Sequence, residues 1–452
     1  MCIRDSPQTV SVNSRGVPVG ESSFSIPADF REDQFLINTD YVINAKNTLS
    51  ERYFYSFDPE TLPFNGDNVP GYGADITFKN HDATLKLTSL LSTNLVNEAR
   101  FGYTRIWGHN TSQNLFPSSD IGMTTLTGNP PGISVSGSFY TLGSLQNDYY
   151  SLDDTLEFGD QVSYTHGRHS FRFGFNWNIN KWDVDAPGFA RGTSTFETFN
   201  DFLIGETAAQ NGSPNGYSNI LADFARIGPP PANALVHQGR TKNSSLFVQD
   251  DYKVNTRLTL NLGLRWEYIG NLYDTLPTFG NIFNSLAALV PIPPPGGTYA
   301  GYTVPSNYVG ALPQGVVRRP TQSGPSSNPP LDDFAPRFGF AWTPGHNQTR
   351  FVVRGGYGWF FWQNNGYTDG GDTVWNVLPV NYTYNLSLAS LADASLQNPF
   401  PNVPALPTFV PRTVSSQISD SNMAETVKDA MVQQWSLNIQ YQVLPATTLE
   451  IG

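Results

Sequence analysis

Apolar and polar residues alternate with a period of two along most of this chain. In residues 244–268 most even positions are leucine, valine, tyrosine or tryptophan, and most odd positions are polar. Successive side chains of a β-strand point to opposite faces, so this stretch predicts a hairpin with one apolar and one polar face. The faces match if Val254 pairs with Leu258 and Leu246 with Trp266, which predicts a three-residue turn at 255–257.

Six segments share this pattern, and each contains two strands joined by a turn of roughly three to six residues. They lie at 34–57, 83–107, 155–179, 244–268, 335–361 and 433–452. The links between the pairs are long and rich in glycine, proline, asparagine and serine, at about 58–82, 108–153, 182–243, 269–333 and 363–430. Short and long connections therefore alternate along the chain.

This alternation is typical of a β-barrel in an outer membrane, which has short periplasmic turns and long extracellular loops. Most of the strands also reach the length of about 9–11 residues that a tilted strand needs to cross a bilayer. The predicted fold is an all-β, antiparallel, up-and-down transmembrane barrel that is partial, with about 12 strands of a larger barrel. A soluble β-sandwich or propeller stays open as an alternative, because alternating faces also suit a protein core.

The two faces predict different surroundings for the side chains. The polar face of the fourth pair would line the lumen, with Gln249, Asp251, Lys253, Asn261, Arg265 and Glu267. Aromatic residues about eight to ten positions from the short turns would form a girdle at the outer interface. These are Tyr55, Trp177, Trp266, Tyr268 and Trp359. Asp250 has the parity of the lipid side, and its position near the turn or a β-bulge would make it tolerable.

Composition narrows the class of protein further. Charged residues make up only 14% of the 452 residues, against about a quarter in ordinary soluble proteins. The net charge of −12 argues against a nucleic-acid partner. One cysteine, Cys2, excludes a disulfide framework. Residues 1–6 are interpreted as a sequencing or assembly artefact, residues 7–30 as a linker, and residues 31–452 as the partial barrel.

Motifs of enzymes are missing from the sequence. It has no nucleophile elbow, phosphate-binding loop or dinucleotide fingerprint, so we predict no catalytic residues and no cofactor. His166 and His169 have the spacing of metal ligands but fall on a predicted polar turn. Calcium could bind aspartates in two predicted loops, at Asp369 and Asp372 and at the pair Asp332 and Asp333. Ordinary acidic loops are the favoured interpretation of both. We therefore predict no metal site.

A set of motifs resembles one protein family. "SSLFVQDDYKVNTRLTLNLGLRWEY" is similar to a strand pair of TonB-dependent outer-membrane receptors. "GRHSFRFGFNW", "DFLIG", "DDFAPRFGFAWTP", "RFVVRGGYGWFF" and "QQWSLNIQYQV" resemble the Oar-like receptor barrels more narrowly. The resemblance implies a location in the outer membrane of a Gram-negative-type bacterium. It also implies that the chain is an interior fragment, about half of a barrel whose plug lies upstream.

The resemblance further implies a function and its partners. Such receptors capture a bulky ligand, for instance a glycan, siderophore or peptide, on their extracellular loops. They import or export it with energy relayed by the TonB system through the plug, and the outer-membrane lipid surrounds them. A passive porin or an adhesin is the alternative within the membrane, and a secreted sandwich or propeller is the alternative outside it.

Overall fold

The structure is a computed structural model of the chain. It describes residues 8–12, 18–21, 25–64, 70–136, 141–143, 148–185, 190–227, 236–277, 280–320, 329–344, 350–362, 382–403, 409, 411–413 and 428–452. The predicted artefact at residues 1–6 and the acidic residues Asp369 and Asp372 lie outside this part of the chain. Almost all regular structure in it is β.

The strands are numbered in chain order. The first half has β1 Gln8–Val12, β2 Pro18–Glu21, β3 Asp29–Phe30, β4 Asp33–Asn44, β5 Asn47–Leu62, β6 Ala74–Ser92, β7 Leu95–Ser112, β8 Gly132–Val135, β9 Thr141–Leu142, β10 Tyr149–His166, β11 His169–Asp185 and β12 Thr193–Phe196. The second half has β13 Ile220–Ile227, β14 Val236–Asn255, β15 Leu258–Ile269, β16 Tyr273–Asp274, β17 Asn281–Ile282, β18 Tyr302–Val304, β19 Val317–Arg318, β20 Phe334–Trp342, β21 Phe351–Phe361, β22 Tyr382–Ser387, β23 Met431–Leu444 and β24 Thr447–Ile451. Three short helices are α1 Phe199–Ile204, α2 Ala208–Asn211 and α3 Asn284–Ala287.

One large antiparallel sheet contains the six predicted strand pairs. Its order is β24-β23-β21-β20-β15-β14-β11-β10-β7-β6-β5, with β4 paired to β5 and the short strands β3 and β16 added to β5 and β14. The twelve long strands therefore follow each other around the sheet in chain order. Within the described residues the sheet is open, with β4 and β24 at its edges. The predicted fold, a partial antiparallel up-and-down barrel of about twelve strands, is confirmed.

The turn of the fourth pair differs slightly from the prediction. Leu246 pairs with Trp266 as expected, but Asn255 rather than Val254 pairs with Leu258, and the register shifts by one residue before Asn255. The Asn255 side-chain oxygen explains the tighter turn, because it accepts hydrogen bonds from the backbone nitrogens of Arg257 at 2.8 Å and Leu258 at 3.0 Å. Val254 becomes a bulge, which absorbs the extra residue and preserves the predicted faces.

The paired strands continue further than the apolar pattern does. Between the long strands, the links as the structure has them span 63–73, 113–148, 186–235, 270–333 and 362–430. The first link is the clearest case, since β5 and β6 pair up to Leu62 and Ala74. Near the strand ends polar residues lie on both faces, so the alternation of apolar and polar residues stops there. The backbone pairing between the two strands nevertheless continues. The predicted linker at 7–30 likewise contains the β1–β2 hairpin and β3.

The links fold into two small sheets with apolar cores. Strands β22, β13, β12, β8 and β9 form one sheet from three different links, and β17, β18 and β19 form another within the fourth link. The first sheet buries Phe196, Ile220, Leu391 and Val135, each at most 2% exposed. By contrast, Leu246 of β14 is 56% exposed and Trp435 of β23 is 79% exposed. The buried core of this protein therefore lies in its links, and the large sheet presents its apolar face outward.

Candidate functional site

A cavity on the polar face of the large sheet shows which face is concave. It has a volume of about 240 Å³ and is lined by residues of six consecutive strands from β7 to β20, among them Glu98, Arg100, Gln249, Arg265 and Arg337. One small cavity contacts six adjacent strands only where the sheet curves around it. The polar face is therefore the inner face, and the apolar face is the outer one.

The structure brings most of the predicted inner-face residues into two groups. Asp251 accepts a hydrogen bond from Gln249 at 3.1 Å and forms an ion pair of 2.6 Å with Arg172. Arg265 and Glu267 form an ion pair of 2.5 Å higher on the wall. Register places Asn261 opposite Asp251 and Lys253 opposite Thr259 on the same face. By register all six share one face of β14 and β15, and their exposure to a lumen and their part in function stay predictions.

The five predicted girdle residues all lie on the outer face. Trp177 and Tyr268 flank Ser244 in one row of paired residues, and Trp266 lies beside Leu246 in the next row. The indole of Trp266 donates to the Leu331 carbonyl at 2.9 Å, and that of Trp359 donates to the Tyr357 hydroxyl at 2.6 Å. Tyr55 packs against Phe35 and His81 with ring centroids 5.5 Å and 5.0 Å away. Their role as an interface belt remains a prediction.

Asp250 has a specific partner on the outer face. Its carboxylate lies 2.7 Å from the Nδ1 atom of His169, whose ring stacks on Tyr252 with centroids 4.3 Å apart. His166, the other histidine of the His-x-x-His motif, stacks on Tyr164 instead. The two histidines thus act in local packing near the turn. Asp250 lies near the turn and so close to the interface, where lipid penalises a charged residue least.

Asp333, one of the calcium-type ligands noted in the sequence, lies at the extracellular end of β20 and is 6% exposed. It faces Asp429, which precedes β23; burial and the neighbouring Asp333 carboxyl raise the pKa of Asp429 to about 7. Two carboxyls of this kind can share a proton. Among the described residues, no three histidine, cysteine, aspartate or glutamate side chains converge as metal ligands. No described helix is long and apolar enough to cross a membrane.

Sequence reasoning missed the residues that join the links. Arg191, only 3% exposed, donates to Asn114 at 2.7 Å and to Asp148 at 3.2 Å, so it ties the second link to the third. Four rings gather where the fifth link contacts the fourth: Phe409 lies within 6.4 Å of Tyr299, Tyr302 and Tyr308. These contacts join residues far apart in the sequence, and no local pattern signals them.

A buried carboxyl in the first link sheet predicts a pH effect. Asp223 is 1% exposed, and burial raises its pKa to about 7, opposed by the Ser194 hydroxyl. The folded sheet therefore holds a proton that the unfolded chain has already lost above about pH 4. We expect the sheet to lose up to about 4 kcal/mol of stability as the pH rises from about 4 to about 7. Asp223→Asn removes this dependence, which proteolysis of the segment 190–227 at both pH values measures. Equal pH dependence in both proteins would contradict the assignment.

Together these features define a class of protein. A curved antiparallel sheet with an apolar outer face, a polar inner wall, short turns at one end and folded links at the other is the wall of a transmembrane β-barrel. The sequence model of the outer membrane beta barrel domain matches residues 7–452, and the chain belongs to this family. The predicted location in the outer membrane is confirmed, and the soluble sandwich or propeller is excluded.

Several solved structures are similar to the chain. The outer membrane transporter YddB from Escherichia coli is 11% identical, with 97% of this chain and 41% of that one covered and a TM-score of 0.49. The ferric-catecholate import receptor Fiu from E. coli K12 is 10% identical, with 92% and 50% covered and a TM-score of 0.44. The alcaligin outer membrane receptor FauA from Bordetella pertussis is 12% identical, with 92% and 51% covered and a TM-score of 0.42. The chain spans about half or less of their length. No curated protein matches it.

Proposed function

We propose that this chain is the barrel wall of a TonB-dependent receptor that transports a bulky ligand across the outer membrane. The supporting observation is the burial of the upper inner wall. Thr241, Asn243 and Ser245 of β14 face inward and are 2–3% exposed, and Val184 of β11 is 1% exposed. Residues of the fourth link cover this part of the wall, since Leu272 lies against Gly239 and the Gly270 backbone nitrogen donates to Asn243 at 3.0 Å. We take this cover as a roof on the lumen side. A roofed lumen fits a ligand-gated receptor better than an open pore.

The links also supply a surface that suits a bulky ligand. Tyr302 and Tyr308 are buried at 6% and 7% exposure, whereas Tyr299 and Phe409 beside them are partly exposed and offer rings on which sugars or aromatic groups stack. Arg318 lies over the Tyr308 ring at 5.8 Å and adds a cation beside them. A glycan, a siderophore or a peptide fits this chemistry, and the proposal extends to all three. Coupling to TonB and the Oar-like subgroup rest on the motif resemblance.

Conductance distinguishes this proposal from a passive porin without knowledge of the ligand. The full-length protein, reconstituted in a planar bilayer, is expected to show no steady open current because its lumen is roofed and plugged. Refolding is checked by heat-modifiable mobility on a gel, so that an absent current cannot reflect unfolded protein. A steady current in every inserted, folded molecule would contradict the receptor and favour the porin.

A further inference from the structure

The outer face of the sheet changes from apolar to basic above the aromatic row that contains Trp177 and Tyr268. Register carries this face across β6, β7, β10, β11 and β14, because each pair of neighbouring residues points the same way. In the rows farther from the short turns, the outer face has lysine or arginine on four of these five strands. We define the outer basic patch as Lys79, Arg105, Lys181, Arg240 and Lys242.

Position along the strands places this patch at the membrane boundary. Arg105 lies ten residues beyond the turn end of β7 at Leu95, and Lys181 lies twelve beyond that of β11 at His169. A strand tilted by about 40° gains roughly 2.5 Å of height per residue. Lys79 lies thirteen residues from the turn end of β6 at Ser92, and Lys242 and Arg240 lie thirteen and fifteen from that of β14 at Asn255. The patch therefore spans about 25–38 Å above the turns, upward from the top of an apolar band about 25 Å tall. Charged groups here meet lipid headgroups.

The charges of the patch are only partly neutralised by the protein. Asp154 is held by Arg105 through two hydrogen bonds of 2.6 Å and 2.7 Å. Asp183 forms an ion pair of 2.6 Å with Arg240. Asp154 also lies opposite Lys181 in the register and attracts it, so the two carboxylates of these rows serve five cations. None of the three lysines forms a salt bridge with any described residue. The patch thus keeps positive charge in a chain whose net charge is −12.

The three lysines are also placed beside aromatic rings or above them. The Lys79 ammonium lies 4.8 Å from the Trp107 ring centroid and 5.7 Å from that of Phe57. The Lys242 ammonium lies 5.7 Å from the Tyr273 ring centroid. Immediately below, the same face continues through Phe101, Phe158 and Trp177. If the ammonium groups bind an anionic lipid headgroup, the acyl chains of that lipid would therefore lie on an apolar wall.

We propose that the outer basic patch binds the phosphate-bearing headgroup of a lipid in the outer leaflet. The lysine ammoniums contact the phosphate as compact point charges. The acyl chains descend over the aromatic and apolar rows below them. This continuity between cations and lipid-facing wall favours a lipid over a soluble anion. The inference depends on the barrel and its orientation, and it is independent of the ligand that the loops capture.

Native mass spectrometry of the full-length protein in detergent tests the proposal. The probes are phosphatidic acid and phosphatidylcholine with identical acyl chains. The wild type is expected to retain phosphatidic acid preferentially. The variant K79Q/K181Q/K242Q should bind it about tenfold or more weakly, because each basic residue near an anionic headgroup contributes several-fold. Retention of phosphatidylcholine should not change, and the variant K79R/K181R/K242R should bind as the wild type does.

A matched control removes the same charge from the other face. R52Q/K86Q/K253Q changes three inner-face cations, and its phosphatidic acid binding should stay within about twofold of wild type. Heat-modifiable mobility confirms that each variant is folded. The proposal is overturned if the outer-face variant binds normally, if the inner-face variant loses as much, or if equimolar inorganic phosphate displaces the lipid. Should the glutamine variant not fold, wild-type binding that is unaffected by raising salt from about 0.05 to about 0.5 M overturns it.

Discussion

Arginine in place of Leu264 should prevent stable assembly of the barrel, whereas arginine in place of Asn261 should be tolerated. Leu264 lies on the outer face of β15 and is 44% exposed, six residues beyond Leu258. That places it about 15 Å above the turn, near the middle of the apolar band, where arginine costs about 2–4 kcal/mol. Asn261 is on the same strand but faces the polar lumen.

The measurement is the folded fraction after refolding into lipid vesicles, followed by unfolding in guanidinium to obtain the free energy difference. Both variants add the same side chain to the same strand, so general effects of arginine cancel between them. If the two variants lose equal stability, or if Asn261→Arg loses more, the face of β15 that carries Leu264 does not meet lipid.

Alanine in place of Gly192 should loosen the first link sheet, which contains β12 and β13. Gly192 has a φ of +79°, which an alanine adopts with strain of about 1–2 kcal/mol. A Cβ atom there would also collide with the ring of Phe400, which belongs to the fifth link and lies in its apolar core. Overpacking of this kind adds about 1–3 kcal/mol. Together the backbone strain and the overpacking destabilise the first link sheet by about 2–5 kcal/mol.

Gly128→Ala is the matched control for this collision. Its φ is also +79°, but a Cβ atom there has no neighbour within 4 Å. Limited proteolysis of protein in vesicles should cut the segment 190–227 several-fold to about 100-fold faster in Gly192→Ala than in Gly128→Ala. Equal rates would mean that the ring contact does not hold the third and fifth links together.

The sequence predicted the large sheet well because period-two alternation is a local signal. Residues 246–252 and 258–266 show their faces without any knowledge of the neighbouring strands, and the six hairpins and their order follow. The predicted turn of the fourth pair was one residue too long. Hydrogen bonds from the turn backbone to the Asn255 side chain select between two registers that the alternation does not distinguish. Asp250 looked misplaced until its partner His169, on another strand, was known.

The links were not predictable in the same way. Arg191 meets Asn114 across 77 positions of sequence, and the five-stranded sheet draws its strands from three separate links. No periodicity marks such strands, because they are short and their partners are distant. The outer basic patch was also not predictable, since Lys79, Arg105 and Lys181 become neighbours only when two hairpins are set in register.

Labelling of single cysteines along β15 tests the central claim, that the apolar face of the sheet meets lipid, most directly. Any native cysteine of the full-length protein is first replaced by serine, and positions 259–266 are then changed to cysteine one at a time in native outer membranes. Even positions should resist a water-soluble thiol reagent and have attached fluorophores quenched by brominated lipid, whereas odd positions should react and escape quenching. Odd and even positions that behave alike, or even positions that react while odd ones are quenched, would contradict it.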